Sequence, residues 1–173
     1  MEIRIDKLLK FNAWLYGSII DMNVDYFIEK INTNTGSADY KTNVKGKMTT
    51  GVFEKDPHFH TTFTRFRERN SEITDVLKPA LDLTDVWGIK NDTGDFTKLH
   101  KHGESHISGL FYLNHHPQVL EFPQLNLKIK PEPGLFLIWN SSLWHKCDPI
   151  VYKEPKYAVV FNLKYRNEPP LML

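Results

Sequence analysis

The chain has a single cysteine, Cys147, among its 173 residues. One thiol cannot build an internal disulfide framework, and such scarcity fits a reducing compartment. No apolar run approaches the roughly 20 residues that a helix needs to span a bilayer. The opening segment MEIRIDKLLKFNAW carries acids and lacks the long apolar stretch of a secretion signal, so the expected location is the cytoplasm. Net charge is nearly absent too, at +1, which removes the electrostatic argument for a nucleic acid or an anionic membrane as partner. Internal repeats and low-complexity tracts are missing. Hydrophobic residues make up 40% and aromatics 13%, so a folded globular chain is expected rather than a disordered one. This length predicts one domain with a sizeable core.

Two unequal parts follow along that chain. Residues 1–85 mix helix and strand signals and read as an N-terminal support. Ile3 and Ile5 alternate with charges, and the stretch from Phe11 to Ile20 is rich in aromatic and branched residues, which predicts a strand or two. Asn23 to Ile31 predicts a short helix with Asn23 as its N-cap and Phe27, Ile28 and Ile31 on one face. Asn32 to Thr50 is polar and reads as a loop, and a second helix is expected from about Ser71 into Leu77, ended by Pro79.

Residues 86–165 read instead as successive strands separated by turns. Expected strands are Val86–Asn91, Phe96–His102, His106–Leu113, Val119–Phe122, Leu125–Ile129, Leu135–Trp139 and Lys156–Leu163. The turns between them carry Asn91-Asp-Thr-Gly94, Asn114-His-His-Pro117 and Pro131-Glu-Pro-Gly134. Short strands at this spacing predict a barrel or sandwich, and with flanking helices a double-stranded β-helix (jelly-roll) core is the economical architecture.

Within that part, His100, His102, Glu104 and His106 recur at every second residue. Side chains two apart on a strand share a face, so these four are expected to form one row of metal-capable groups, with His145 closing the site. Imidazoles and a carboxylate without thiolate suit non-haem iron, manganese or zinc. Other histidines read as structural: His58 and His60 on the surface, His115 and His116 in a solvated turn. Trp87, Trp139 and Trp144 read as core or pocket wall.

Gly94 through His102, Ser108-Gly-Leu-Phe-Tyr-Leu113, Pro133-Gly-Leu-Phe-Leu-Ile-Trp139, His145 and Lys156 to Asn162 together resemble the Fe(II)/2-oxoglutarate oxygenase superfamily. More narrowly they are similar to small oxygenases of bacteria and phages with an H-x-H and an S-G-x-x-Y-L strand. The resemblance covers about residues 86–163. It implies a jelly-roll core, Fe(II), 2-oxoglutarate and dioxygen, with an organic or peptidyl substrate oxidised as succinate and carbon dioxide are released. His145 then corresponds to the distal ligand. The resemblance favours His100 and His102 as the proximal pair, whereas the common two-histidine, one-carboxylate set favours His102 and Glu104 with His145. For the cosubstrate, the resemblance points to Lys156 in place of the usual arginine, with Tyr112, Ser108 and Asn162 as further contacts and Arg166 as a fallback.

Gly94 followed by H-x-H also looks like the first cupin motif. That alternative implies a metal-dependent dioxygenase, isomerase or sugar-binding module without 2-oxoglutarate. The edge strands of a jelly-roll leave room for a homodimer. Nothing in the sequence selects a substrate.

Overall fold

The computed structural model describes residues 14–36, 43–70, 73–77 and 80–166. The strand expected around Ile3 and Ile5 lies outside them. Two antiparallel sheets face each other. The larger is built from β1 (Leu15–Ile19), β3 (Lys47–Met48), β4 (Leu81–Asn91), β6 (Ile107–Tyr112), β9 (Leu135–Asn140) and β11 (Lys156–Tyr165). The smaller holds β2 (Val44–Lys45), β5 (Phe96–His100), β7 (Leu120–Phe122), β8 (Leu127–Ile129) and β10 (His145–Cys147). Strand orders are β1-β9-β6-β11-β4-β3 and β2-β5-β10-β7-β8. The chain thus crosses repeatedly between the two sheets from β4 to β11, which is the winding of a double-stranded β-helix.

Among the described residues, the helices cover the outer face of the larger sheet. In α1 (Val24–Asn34), Asn23 is the N-cap and accepts a hydrogen bond from Tyr26 N at 3.1 Å, satisfying one of the free amides of the first turn. Its buried residues are Phe27 and Ile31. A longer helix, α2 (Pro57–Arg69), was not expected from the sequence. Asp56 caps it by accepting from Phe59 N at 3.0 Å, Pro57 opens it, and Phe59, Thr62 and Phe66 are buried. Lys30 of α1 pairs with Asp56, joining the two helices. The helix expected into Leu77 is α3 (Thr74–Leu77).

Because helices lie on one face of the larger sheet and the smaller sheet on the other, β6 is buried along its whole length. That is why these strands read as continuous apolar runs instead of alternating ones. Alternate residues still part company. Ile107, Phe111, Val159, Phe161 and Leu163 join the core under the helices, where Phe66 and Phe136 stack at 4.1 Å between centroids. Leu110, Tyr112 and Ala158 point the other way, toward the smaller sheet. Burying a phenylalanine this fully contributes roughly 1.5–3 kcal/mol.

Several boundaries differ from the expectation. Strand β5 ends at His100 rather than His102, because the chain must leave the smaller sheet there to reach β6. The segment expected as Leu125–Ile129 begins with a 3₁₀ turn over Pro123–Leu125, and Asn126 at φ 50° redirects it into β8. The polar segment 32–50 contributes the two short strands β2 and β3 in its described portion.

Candidate metal centre and its pocket

Strands β10 and β5 pair so that His145 faces His100, with ring centroids 4.3 Å apart. His102 follows two residues later, its amide held by Ser141 O at 3.0 Å. One ligating atom from each of His100, His102 and His145 lies within 4.8 Å of the others. His145 donates Nδ1–H to Leu143 O at 3.0 Å, and His100 donates Nδ1–H to Lys98 O at 2.8 Å. In each ring that bond fixes the tautomer and leaves Nε2 with the lone pair. Burial pushes all three imidazoles toward the neutral form. For His145 burial is the main cause and the His100 charge adds to it, bringing its pKa to about 3. For His102 burial again leads, His100 adds, and Asp85 opposes, leaving it at about 4. Neutral imidazoles are the form a metal binds. This donor set fits a divalent transition ion, and it contains no carboxylate.

Glu104 is not part of it. With β5 ending at His100, the two-residue alternation stops, and Glu104 falls on an exposed turn. His106 is also apart, its ring 5.0 Å from that of Tyr165 and its Nδ1 accepting from Tyr165 N.

From the triad a cavity of about 70 Å³ runs between the sheets. Register across the larger sheet sets its walls as rows. Asp85, Asn162, Ser108 and Trp139 form the row at the triad end. Trp87, Val160, Leu110 and Leu137 come next, then Ile89, Ala158 and Tyr112, and last Asn91 beside Lys156. Trp139 packs its ring 5.1 Å from that of His145.

Lys156 is the charged group of the cavity wall and is only 4% exposed. Among the described residues it has no carboxylate partner; its hydrogen bond goes to Cys147 Sγ at 3.6 Å. Buried cations ordinarily pair with acids, and this one lacks such a partner among the described residues. Nearby, among the described residues, the buried Tyr112 hydroxyl has no hydrogen-bond partner, and neither does the indole N–H of Trp139. Burial, with Cys147 adding to it, raises the Tyr112 phenol well above its ordinary value, so it stays a donor. Behind Lys156, Gln118 and His116 are buried: Gln118 accepts from Asn91 at 3.2 Å and His116 bonds to Glu154 O. His116 is therefore part of the closed end of the barrel and not a solvated turn.

Ser108 and Asn162 share the inward face but do not line the cavity. Ser108 donates to Asn162 Oδ1 at 2.8 Å and pairs with Ser141 Oγ at 2.9 Å, in the row that Trp139 shares at the triad end. Arg166 pairs with exposed Asp82 at 2.7 Å on the barrel's outside. Trp144 turns away from the cavity, 38% exposed, with Lys101 Nζ 5.4 Å from its ring centroid. Sequence reasoning missed Cys147 and Asn91 as cavity residues. The signal for Cys147 was present, since it stands two residues after His145 on the same strand.

No protein-family model and no curated protein sequence matches the chain. Solved structures do. A collagen prolyl hydroxylase of Paramecium bursaria Chlorella virus-1, in complex with 2-oxoglutarate, superposes with a TM-score of 0.66 at 16% identity, over 90% of this chain and 98% of that one. A prolyl-4-hydroxylase of Pseudomonas putida gives 0.62 at 13% identity, over 87% and 93%. HygX of Streptomyces hygroscopicus, with nickel, 2-oxoglutarate and hygromycin B bound, gives 0.65 at 12% identity, over 89% and 84%. At such identities the likeness is one of fold: the chain shares its double-stranded β-helix with these oxygenases.

Proposed function

We propose that the chain is an Fe(II)- and 2-oxoglutarate-dependent oxygenase, acting on an organic or peptidyl substrate. The observation that carries this reading is the pairing of two subsites in one apolar cavity. Three neutral imidazoles stand at one end, and a buried ammonium without an acid partner stands along the wall from them. A five-carbon keto diacid matches both. His100, His102 and His145 would hold the metal. Lys156 would pair with the far carboxylate as a point charge rather than a bidentate fork, and the Tyr112 hydroxyl would donate to it. The wall residues Leu110, Trp87 and Trp139 exclude water, which strengthens both interactions. Iron, when bound with 2-oxoglutarate, supplies dioxygen activation coupled to oxidative decarboxylation. The viral collagen prolyl hydroxylase and HygX, which share the fold, have 2-oxoglutarate bound, and this supports the reading.

Succinate formation from 2-oxoglutarate under air tests it. Turnover that requires added iron and is lost in His145→Ala is the expected result. The absence of a donor carboxylate among the described residues favours a second reading, a cupin-like metal enzyme that does not use 2-oxoglutarate. An iron-loaded chain that consumes no 2-oxoglutarate with any tested substrate would support it.

A further inference from the structure

No aspartate or glutamate lines the cavity among the described residues. The metal donors are all neutral, and the one fixed charge of the wall is the cation of Lys156. The acid closest in register to the triad end is Asp85, at the end of the first row; it is exposed, and although its charge reaches His102 it is not one of the three donors. Tyr112 keeps its proton. A divalent ion held by three imidazoles would thus place two further positive charges in the same apolar chamber as the ammonium. Two-histidine, one-carboxylate sites cancel one of those charges with a protein ligand; this chain does not.

We propose that the metal and the keto diacid occupy this site as a charge-coupled unit, each binding weakly alone and each raising the affinity of the other. This rests on the oxygenase reading of the same cavity. The dianion supplies the negative charge that the protein omits, one carboxylate at the metal and one at Lys156. Linkage makes the effect reciprocal. His102, standing where a carboxylate is usual, is the residue that sets the strength of the coupling.

The test uses cobalt(II), titrated into the metal-free chain without oxygen and followed by its visible d–d absorption and by calorimetry. In the native chain, saturating 2-oxoglutarate tightens cobalt binding by at least about tenfold. In His102→Asp, and in His102→Glu as a second form of the same change, cobalt binds more tightly unaided and the enhancement is at least about threefold smaller. A measurement on the native chain avoids dependence on the folding of either variant: the 5-amide of 2-oxoglutarate, which leaves Lys156 unpaired, gives a smaller enhancement than the diacid. Cobalt affinity unchanged by a 2-oxoglutarate that still binds the metal-free chain overturns the coupling and leaves the oxygenase reading standing. Equal enhancement in native and His102→Asp chains, or by diacid and amide, also overturns it. Failure of 2-oxoglutarate to bind either the metal-free or the cobalt-loaded chain overturns the oxygenase reading itself.

Discussion

His145 and His100 are cross-strand partners on β10 and β5, and each donates its Nδ1–H to the backbone carbonyl two residues before it. The same local bond on two facing strands aims two Nε2 lone pairs at one point. Removing one ring therefore removes a ligand that backbone geometry had fixed. His145→Ala is expected to lower bound iron or cobalt by at least about tenfold, in line with the loss of a metal ligand or its orienting partner, while leaving the fold intact by circular dichroism. Metal content equal to that of the native chain would contradict the assignment.

Lys156 makes a contrasting prediction for activity and stability. Lys156→Met preserves the length and apolar stem but deletes the charge. Loss of a charge-assisted hydrogen bond costs about 1.5–3 kcal/mol, so the apparent affinity for 2-oxoglutarate should fall roughly 10- to 100-fold. Folding stability should hold or rise, because an unpaired buried charge disappears with the substitution. A stability loss with unchanged 2-oxoglutarate affinity would mean that Lys156 serves only packing.

The triad also predicts how the metal-free chain responds to acid. His102 and His145 have pKa values of about 4 and about 3 in the folded state, below the roughly 6.5 of a free imidazole. Between those limits the unfolded chain binds more protons than the folded one, so stability falls as pH falls. Stability is thus full above about pH 6.5 and declines progressively below it. Thermal melts from neutral pH down to about pH 5 should show that decline, and the double variant His102→Gln, His145→Gln should flatten it. An unchanged slope in the double variant would place the acid sensitivity elsewhere.

Close packing under the helices gives a prediction independent of the site. A Cβ at Gly109 would lie 2.3 Å from the Phe161 ring and 2.8 Å from Leu137 O. The ring belongs to the aromatic cluster and the carbonyl is strand backbone, so neither can yield freely. Gly109→Ala is expected to destabilise the chain by about 1–3 kcal/mol, read as a lower denaturant midpoint. An unaltered midpoint would show that β6 and β11 shift without cost.

Much of this was legible in the sequence because strand periodicity and residue chemistry agreed. His100 and His102 announced themselves by spacing. Lys156 was singled out by the family resemblance rather than by its local pattern, and the pairing of β11 with β4 and β6 turned that position inward. Glu104 misled because alternation was extended past the true end of β5, where the chain turns toward β6. The helix α2 was overlooked because Phe59, Thr62 and Phe66 are interrupted by His58, His60 and charged residues, although Asp56-Pro57 is a good helix start. The place of Cys147 beside Lys156 depends on β10 closing over β11 from the other sheet, a contact no local pattern encodes.

The proposed oxygenase takes a metal and 2-oxoglutarate together in one cavity, through His145 and Lys156. The most direct measurement adds Fe(II) and then 2-oxoglutarate to the metal-free chain without oxygen and records the visible spectrum. A charge-transfer band that appears only with both, and vanishes in His145→Ala, is the predicted result. Iron binding without any band on addition of 2-oxoglutarate would contradict it.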